Sequence, residues 1–207
     1  MGTNFNQTNV PQNLDMQSLK AAADSAGQYA KGCRFVAVIK PTGSSIIGLI
    51  PRDLVYMCEA VEFPGRGFDI TEIRYWGPKQ VFPNNVMYGS GINMQFICRQ
   101  DSTERAFFDN WQDIINPVNN FMFEYPDNYY ADINIYQLAE YAAGAGWNYI
   151  KDSNHKPVNS LATYGWTLRK CWPTLVNPQQ VTWADQDILR LQVSFAYKYW
   201  DRPDYVK

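Results

Sequence analysis

The sequence predicts a mainly β protein, a barrel or sandwich built around one core α-helix, and three observations carry that expectation. Apolar and polar residues alternate with period two in several segments, most regularly at Leu189, Leu191, Val193, Phe195, Tyr197 and Tyr199 against Arg190, Gln192, Ser194, Ala196 and Lys198. A single stretch, residues 101–117, carries a strong helical period instead. Finally, 14 Tyr, 11 Phe and 7 Trp stand against only 18% charged residues, a balance that suits sheet and buried contact surface.

The helix is the plug of this expected fold. Phe107, Phe108, Trp111, Ile114 and Ile115 fall at i, i+1, i+4, i+7 and i+8 and form one apolar stripe, while Arg105, Asp109, Asn110 and Asp113 take the other face. Asp101 with Glu104 fits a capping box, Ser102 is the alternative cap, and Asn116-Pro117 supplies the stop because proline disfavours helix at the residue before it. Burying such side chains contributes about 1.5–3 kcal/mol each.

At 207 residues the chain fits one domain with extensions. Residues 1–30 read as an N-terminal arm and short helix, and 31–207 as the β domain, with a loop insertion at 140–162. Residues 1–13 hold many Asn and Gln and little to bury, so they order against a partner. Leu14, Leu19, Ala22, Ala23, Ala26 and Tyr29 give 14–30 a small-residue helical face.

Strands are expected next at 33–39, 54–63 and 68–76. Residues 46–51 form an apolar loop segment suited to an intermolecular contact. Phe63, Pro64, Gly65 and Arg66 form the turn of a long hairpin, since a proline and two glycines twist or bulge the chain there, and Tyr75 and Trp76 end its second strand. Gly65 in particular is expected to need positive φ or a close backbone approach. Gln80-Val81-Phe82 reads as a short strand stopped by the turn Pro83-Asn84-Asn85. Further strands follow at 92–98, 131–138, 166–173 and 189–199. The polar residues Lys151, Asp152, Asn154 and His155 mark 140–162 as longer than a simple connection requires.

Charge and chemistry narrow the function. A net charge of −2 and a pI near 5.4 give no electrostatic reason to hold a polyanion. Cys33, Cys58, Cys98 and Cys171 are widely spaced without a CxxC pair, which favours buried free thiols over bridges or zinc ligands, in a reducing cytoplasm. No run of about 18 apolar residues and no basic leader followed by an apolar run is present, so no membrane anchor is expected.

His155 is the only histidine and has no acid or nucleophile at a diagnostic spacing. Asp185 and Asp187 precede a strand as turn residues do, and Gly65-Arg66-Gly67 does not open a helix, so it makes no phosphate cradle. No catalytic residue, cofactor or metal site is therefore expected. Trp and Tyr can stack on sugars, which keeps a carbohydrate-binding module open as an alternative, although their placement in alternating strands favours core and subunit contact.

With these residues laid out, the chain resembles the tail tube protein of contractile-tail bacteriophages, a family similar in fold to the needle protein of type VI secretion systems. The resemblance rests on 58–66 with 72–77, on Met94-Gln95-Phe96-Ile97-Cys98 running into 104–111, on the strand 132–138, and on 171–173 through Trp183 to 193–200. The order matters most: a Phe-Phe-Asp-x-Trp helix after the fourth strand and a Phe-Ala-Tyr-x-Tyr final strand.

The resemblance implies a structural virion protein and not an enzyme. Six copies would form a ring, and rings would stack into the hollow inner tube of a contractile tail. Long hairpins around Phe63, Pro64, Gly65, Arg66, Tyr75 and Trp76 would join neighbours, and DNA would pass the lumen without specific binding. Implied partners are further copies of itself, the tail sheath protein, and baseplate and tail-terminator proteins. Ring-to-ring contact would fall to 1–13, 41–53 and 140–162. A baseplate or tail-terminus tube homologue is the alternative within the same fold.

Overall fold

A computed structural model describes residues 30–51, 53–74, 76–89, 91–139, 162–183 and 186–202. The expected arm at 1–13, most of the helix at 14–30, the insertion up to residue 161, and Tyr75, His155 and Asp185 lie outside the described residues. Two units are present, 1–34 and 35–207, and among the described residues the second holds every strand and helix.

Its elements run β1 (Phe35–Pro41), α1 (Leu54–Met57), β2 (Cys58–Val61), β3 (Arg66–Ile73), β4 (Gln80–Tyr88), β5 (Ile92–Ile97), α2 (Thr103–Ile115), α3 (Pro126–Tyr129), β6 (Ala131–Leu138), β7 (Ala162–Val176), β8 (Arg190–Ala196) and β9 (Tyr199–Asp201). The large antiparallel sheet has the order β1-β6-β7-β8-β5-β2, with β9 also paired to β7. Strands β3 and β4 form a separate two-stranded sheet.

Strand β7 serves both halves of the large sheet, which requires it to bend. Its first part pairs with β6 and β9, and residues 172–176 pair with β8. At the joint, Arg169 and Lys170 stand opposite the single residue Asp132, and Lys170 adopts φ 57°. A two-against-one bulge with a left-handed residue turns a strand sharply. The Asp132 carboxylate accepts the Lys170 N–H at 3.2 Å and the Arg169 guanidinium at 2.7 Å, and Arg169 also reaches Asp201 at 3.2 Å. Burial works against the Arg169 charge, but its two carboxylate partners outweigh that and raise its pKa.

The period-two patterns face the core as their spacing requires. Ile92, Met94 and Phe96 of β5 and Leu191, Val193 and Phe195 of β8 are buried in register, with Met94 opposite Val193 and Phe96 opposite Leu191. Helix α2 caps this half. The Phe108 ring lies 5.0 Å from Phe96 and 5.9 Å from Phe195, and Trp111, fully buried, lies 6.0 Å from Phe195. The Trp111 indole N–H donates to the Tyr129 carbonyl at 2.9 Å, so its one polar atom is satisfied. Phe107 and Ile115 are buried too, whereas Ile114 is only partly covered, at the margin of the stripe.

Several expectations are corrected. The helix starts without a capping box: Ser102 sits at φ 51° and makes no side-chain cap. Glu104, completely buried, reaches past the cap to the Arg99 backbone N–H at 3.1 Å and to the Arg99 guanidinium at 2.6 Å. Arg99 also bonds Asp53 at 3.0 Å, and its pKa is raised chiefly by the Glu104 hydrogen bond. An ion pair at the end of β5 thus replaced the local cap, because the strand runs almost directly into the helix.

The expected strand 54–63 is a helical turn followed by the short strand β2. Residues 83–85 are no turn but the middle of β4: Pro83 pairs with Ile70 beside a bulge, where a strand tolerates a missing N–H. Within the loop at 46–51, Ile46 is buried and Ile50 packs on the core, leaving Ile47 and Leu49 exposed. The thiols are free, but only Cys98 and Cys171 are buried; Cys58 is intermediate and Cys33 exposed.

Candidate assembly surface

The residues expected to form the hairpin turn have another place. Strand β2 pairs with β5, not with β3, so residues 62–65 are a crossover that leaves the large sheet and enters the small one. Phe63 stacks on Trp166 with ring centres 4.4 Å apart, Pro64 is buried, and the Gly65 carbonyl accepts the Trp200 indole N–H at 3.0 Å. Gly65 does not have positive φ, and a Cβ there would meet nothing within 4 Å, which corrects the reason given for a glycine. A close approach does occur at Gly91, whose added Cβ would lie 2.6 Å from the Phe195 carbonyl oxygen.

The hairpin itself is β3–β4, turning at 74–79. Gly77 takes φ 89° at the turn, where its carbonyl accepts from the Arg74 guanidinium at 3.1 Å, and Lys79 pairs with Glu72 at 2.6 Å. Trp76 is 96% exposed at this tip. The charges of the hairpin nearly balance: Arg66, Arg74 and Lys79 against Asp69 and Glu72.

Register separates two faces, because residues directly opposite in an antiparallel pair point the same way. One face carries Phe68 opposite Val86, Ile70 opposite Pro83, and Glu72 opposite Val81. At its base the Arg66 guanidinium lies 5.5 Å from the Phe68 ring and 5.6 Å from that of Tyr88. The second face carries Asp69 opposite Asn85 and Thr71 opposite Phe82, with Met87 and Ile73 nearer its two ends. On the first face Phe68 is 54% and Ile70 59% exposed, and Val81 and Val86 are exposed as well. Neither strand pairs with any other among the described residues. A lone hairpin with bare edges and a bare apolar face is marginal in water.

The hairpin turn expected at 63–66 thus lies one strand later, between β3 and β4. The β-branched and aromatic residues on both sides of Gly77-Pro78 were the available signal for the true turn. Sequence reasoning also missed a second exposed group after α2, in which Val118, Phe121, Met122, Phe123 and Tyr125 are largely uncovered and Phe121 holds φ 52°.

No group of His, Cys, Asp and Glu able to hold a metal occurs among the described residues. Nor is any described helix long and apolar enough to cross a membrane. A depression of about 170 Å³ beside Glu62, Asn93 and Gln192 is smaller than the pockets that usually enclose a ligand.

Chains in structures of contractile injection systems have a similar fold. The baseplate structure of the anti-feeding prophage, six-fold symmetrised, contains a chain that matches at TM-score 0.56 and 13% identity, over 84% of this chain and 95% of that one. A chain of the sheath–tube complex of an extracellular contractile injection system in its extended state matches at 0.55 and 12%, over 92% and 98%. The sheath/tube terminator structure of that system contains a third, at 0.51 and 14%, over 83% and 94%. No curated protein sequence matches. The model of the phage tail tube protein family covers residues 33–202, and the chain belongs to that family.

Proposed function

We propose that this chain is the repeating subunit of the inner tube of a contractile phage tail. Six copies form a ring, rings stack into a hollow tube inside the sheath, and DNA passes through the lumen as the tube enters the host envelope. The observation that carries the reading is the β3–β4 hairpin, whose apolar face and two strand edges are uncovered in the single chain. A neighbour related by rotation covers that face on every subunit at once, and a head-to-tail interface that closes into a ring leaves no hairpin bare. Family membership and the likeness to tube chains support the same reading.

The near balance of charge on the hairpin fits a wall past which a polyanion moves, since each uncompensated cation would bind phosphate. Partners follow from the tube: the sheath outside, the baseplate at one end and the terminator at the other. Assembly takes place in the host cytoplasm and the product resides in the virion.

Electron microscopy of the purified chain at rising concentration tests this. Six-membered rings and tubes of uniform bore are expected. A chain that only caps preformed tubes is a baseplate or terminus homologue, and a chain that stays monomeric and binds glycans is a carbohydrate-binding module; either result overturns the tube assignment.

A further inference from the structure

A two-stranded hairpin with no sheet neighbour has its direction set entirely at its root. In this chain both strands of the root meet one side chain. Trp200 donates its indole N–H to the carbonyl of Gly65, the residue before β3, at 3.0 Å. The same indole packs edge-on against Tyr88, the last residue of β4, with ring centres 6.4 Å apart.

Trp200 is in turn held by the large sheet. It sits on β9 opposite Leu168 of β7, and its neighbour Asp201 is tied to Arg169, the residue that also binds Asp132 at the bend of β7. A second anchor lies alongside: Phe63 stacked on Trp166, which is two residues from Leu168 on the same strand. Of the three residues of β9 and the crossover 62–65 only Pro64 is fully buried, and Trp200 packs on the margin of the core, partly covered, where it also reaches the hairpin root.

We propose that Trp200 is the positioning residue for self-assembly. By holding both strands of the hairpin root it fixes the direction in which β3–β4 leaves the sheet, and hence whether its apolar face meets a second copy of this chain. The inference rests on the tube-subunit reading for its consequence, but the clamp itself is a property of the single subunit.

The test uses the full chain carrying Trp200→Phe, Trp200→Ala or Phe63→Ala, with amide exchange measured on the monomer and ring formation followed by sedimentation and microscopy. Trp200→Phe keeps an aromatic ring beside Tyr88 and loses the donated hydrogen bond with part of the indole's contact area, so it is expected to raise the concentration needed for rings about tenfold. Trp200→Ala is expected to abolish uniform tubes. In the monomer both speed exchange across 66–88 while leaving β5, β8 and α2 protected, and Phe63→Ala moves the same segment in the same direction.

Tubes of normal bore from Trp200→Ala at wild-type concentration would overturn the proposal. So would parallel loss of protection in β5 and β8, because Trp200 would then be an ordinary core residue. If the wild-type chain forms no rings, the tube assignment fails, and exchange across 66–88 in the monomer still decides the clamp.

Discussion

Strand β8 and the β3–β4 hairpin use the same chemistry and have opposite fates. In β8, Leu191, Val193 and Phe195 point to one face and are fully covered by β5, β7 and the aromatic stripe of α2. In the hairpin, Phe68, Ile70, Val81 and Val86 also point to one face, and that face is bare. Period-two alternation therefore states that a face is to be covered, not which molecule covers it. In β8 the cover comes from the same chain, and its loss is a loss of folding. In the hairpin the proposed cover is a second copy, so its loss changes assembly and little else.

The largest loss of stability is expected at the centre of the β8 half, where α2 packs. Trp111→Ala removes a fully buried indole that touches Phe107 and Phe195 and satisfies the Tyr129 carbonyl, and it is expected to cost about 3–5 kcal/mol of subunit stability. Denaturant melts of the monomer measure this, and an unchanged midpoint would mean that the stripe does not organise the core. Glu104→Ala follows at about 1–3 kcal/mol, because it removes the fully buried carboxylate that accepts from the Arg99 backbone N–H and guanidinium. Glu104→Gln should recover part of that loss in the same melts, since an amide oxygen still accepts the N–H.

How much of this was legible depends on whether the determining contacts are local. The α2 stripe, the strand at 131–138 and the alternation of β5 and β8 were readable, since each is written in side-chain spacing alone. The N-terminus of α2 was not, because Glu104 is captured by Arg99 from the preceding strand instead of closing its own cap. Residues 54–57 carry apolar residues that suit either a strand or a turn of helix, and short runs of this kind do not decide between the two. The hairpin was displaced because Pro64 and Gly65 look like a turn by composition. The path of 63–65 is set by distant partners, Trp166 stacked on Phe63 and Trp200 bonded to the Gly65 carbonyl 135 residues away. Pro83 misled in the same way, since a bulge beside Ile70 absorbs it.

The thiols offer a probe that sharpens the contrast, with a smaller expected effect. Burial pushes Cys171 up to about 12 from an ordinary value of 9.0, and Cys58 likewise. A raised thiol favours the neutral form in the folded subunit. Its stabilising contribution is present below pH 9, where both states are protonated alike, and is lost as the unfolded chain ionises between pH 9 and about 12. Melts across that range should fall in midpoint. Alkylation at pH 8 should reach the exposed Cys33 first and leave Cys171 untouched until the subunit unfolds. Early modification of Cys171 would show that the bend of β7 opens more readily than its ion pairs imply.

The smallest effect on the subunit is expected where the consequence for assembly is greatest. Ile70→Asp places a charge at the middle of the hairpin's apolar face, opposite Pro83 and between Phe68 and Glu72. In the single chain that position is already in water, so the change in unfolding free energy should stay within about 0.5 kcal/mol, as for other surface substitutions. Protection of Cys171 and of the β8 amides should be unaltered. In a ring the same carboxylate would be buried against a neighbour without a partner, and desolvating an unpaired charge is among the costliest changes an interface meets. Six equivalent interfaces would each carry that cost, so rings should be absent at concentrations where the wild-type chain forms tubes. Asp69→Ala, on the opposite face of the same strand, is the control and should assemble normally. If Ile70→Asp forms tubes of unchanged bore, the apolar face does not lie between subunits. If instead it melts far below the wild type, the hairpin is packed within its own chain, and its two regions do not differ in the source of their cover.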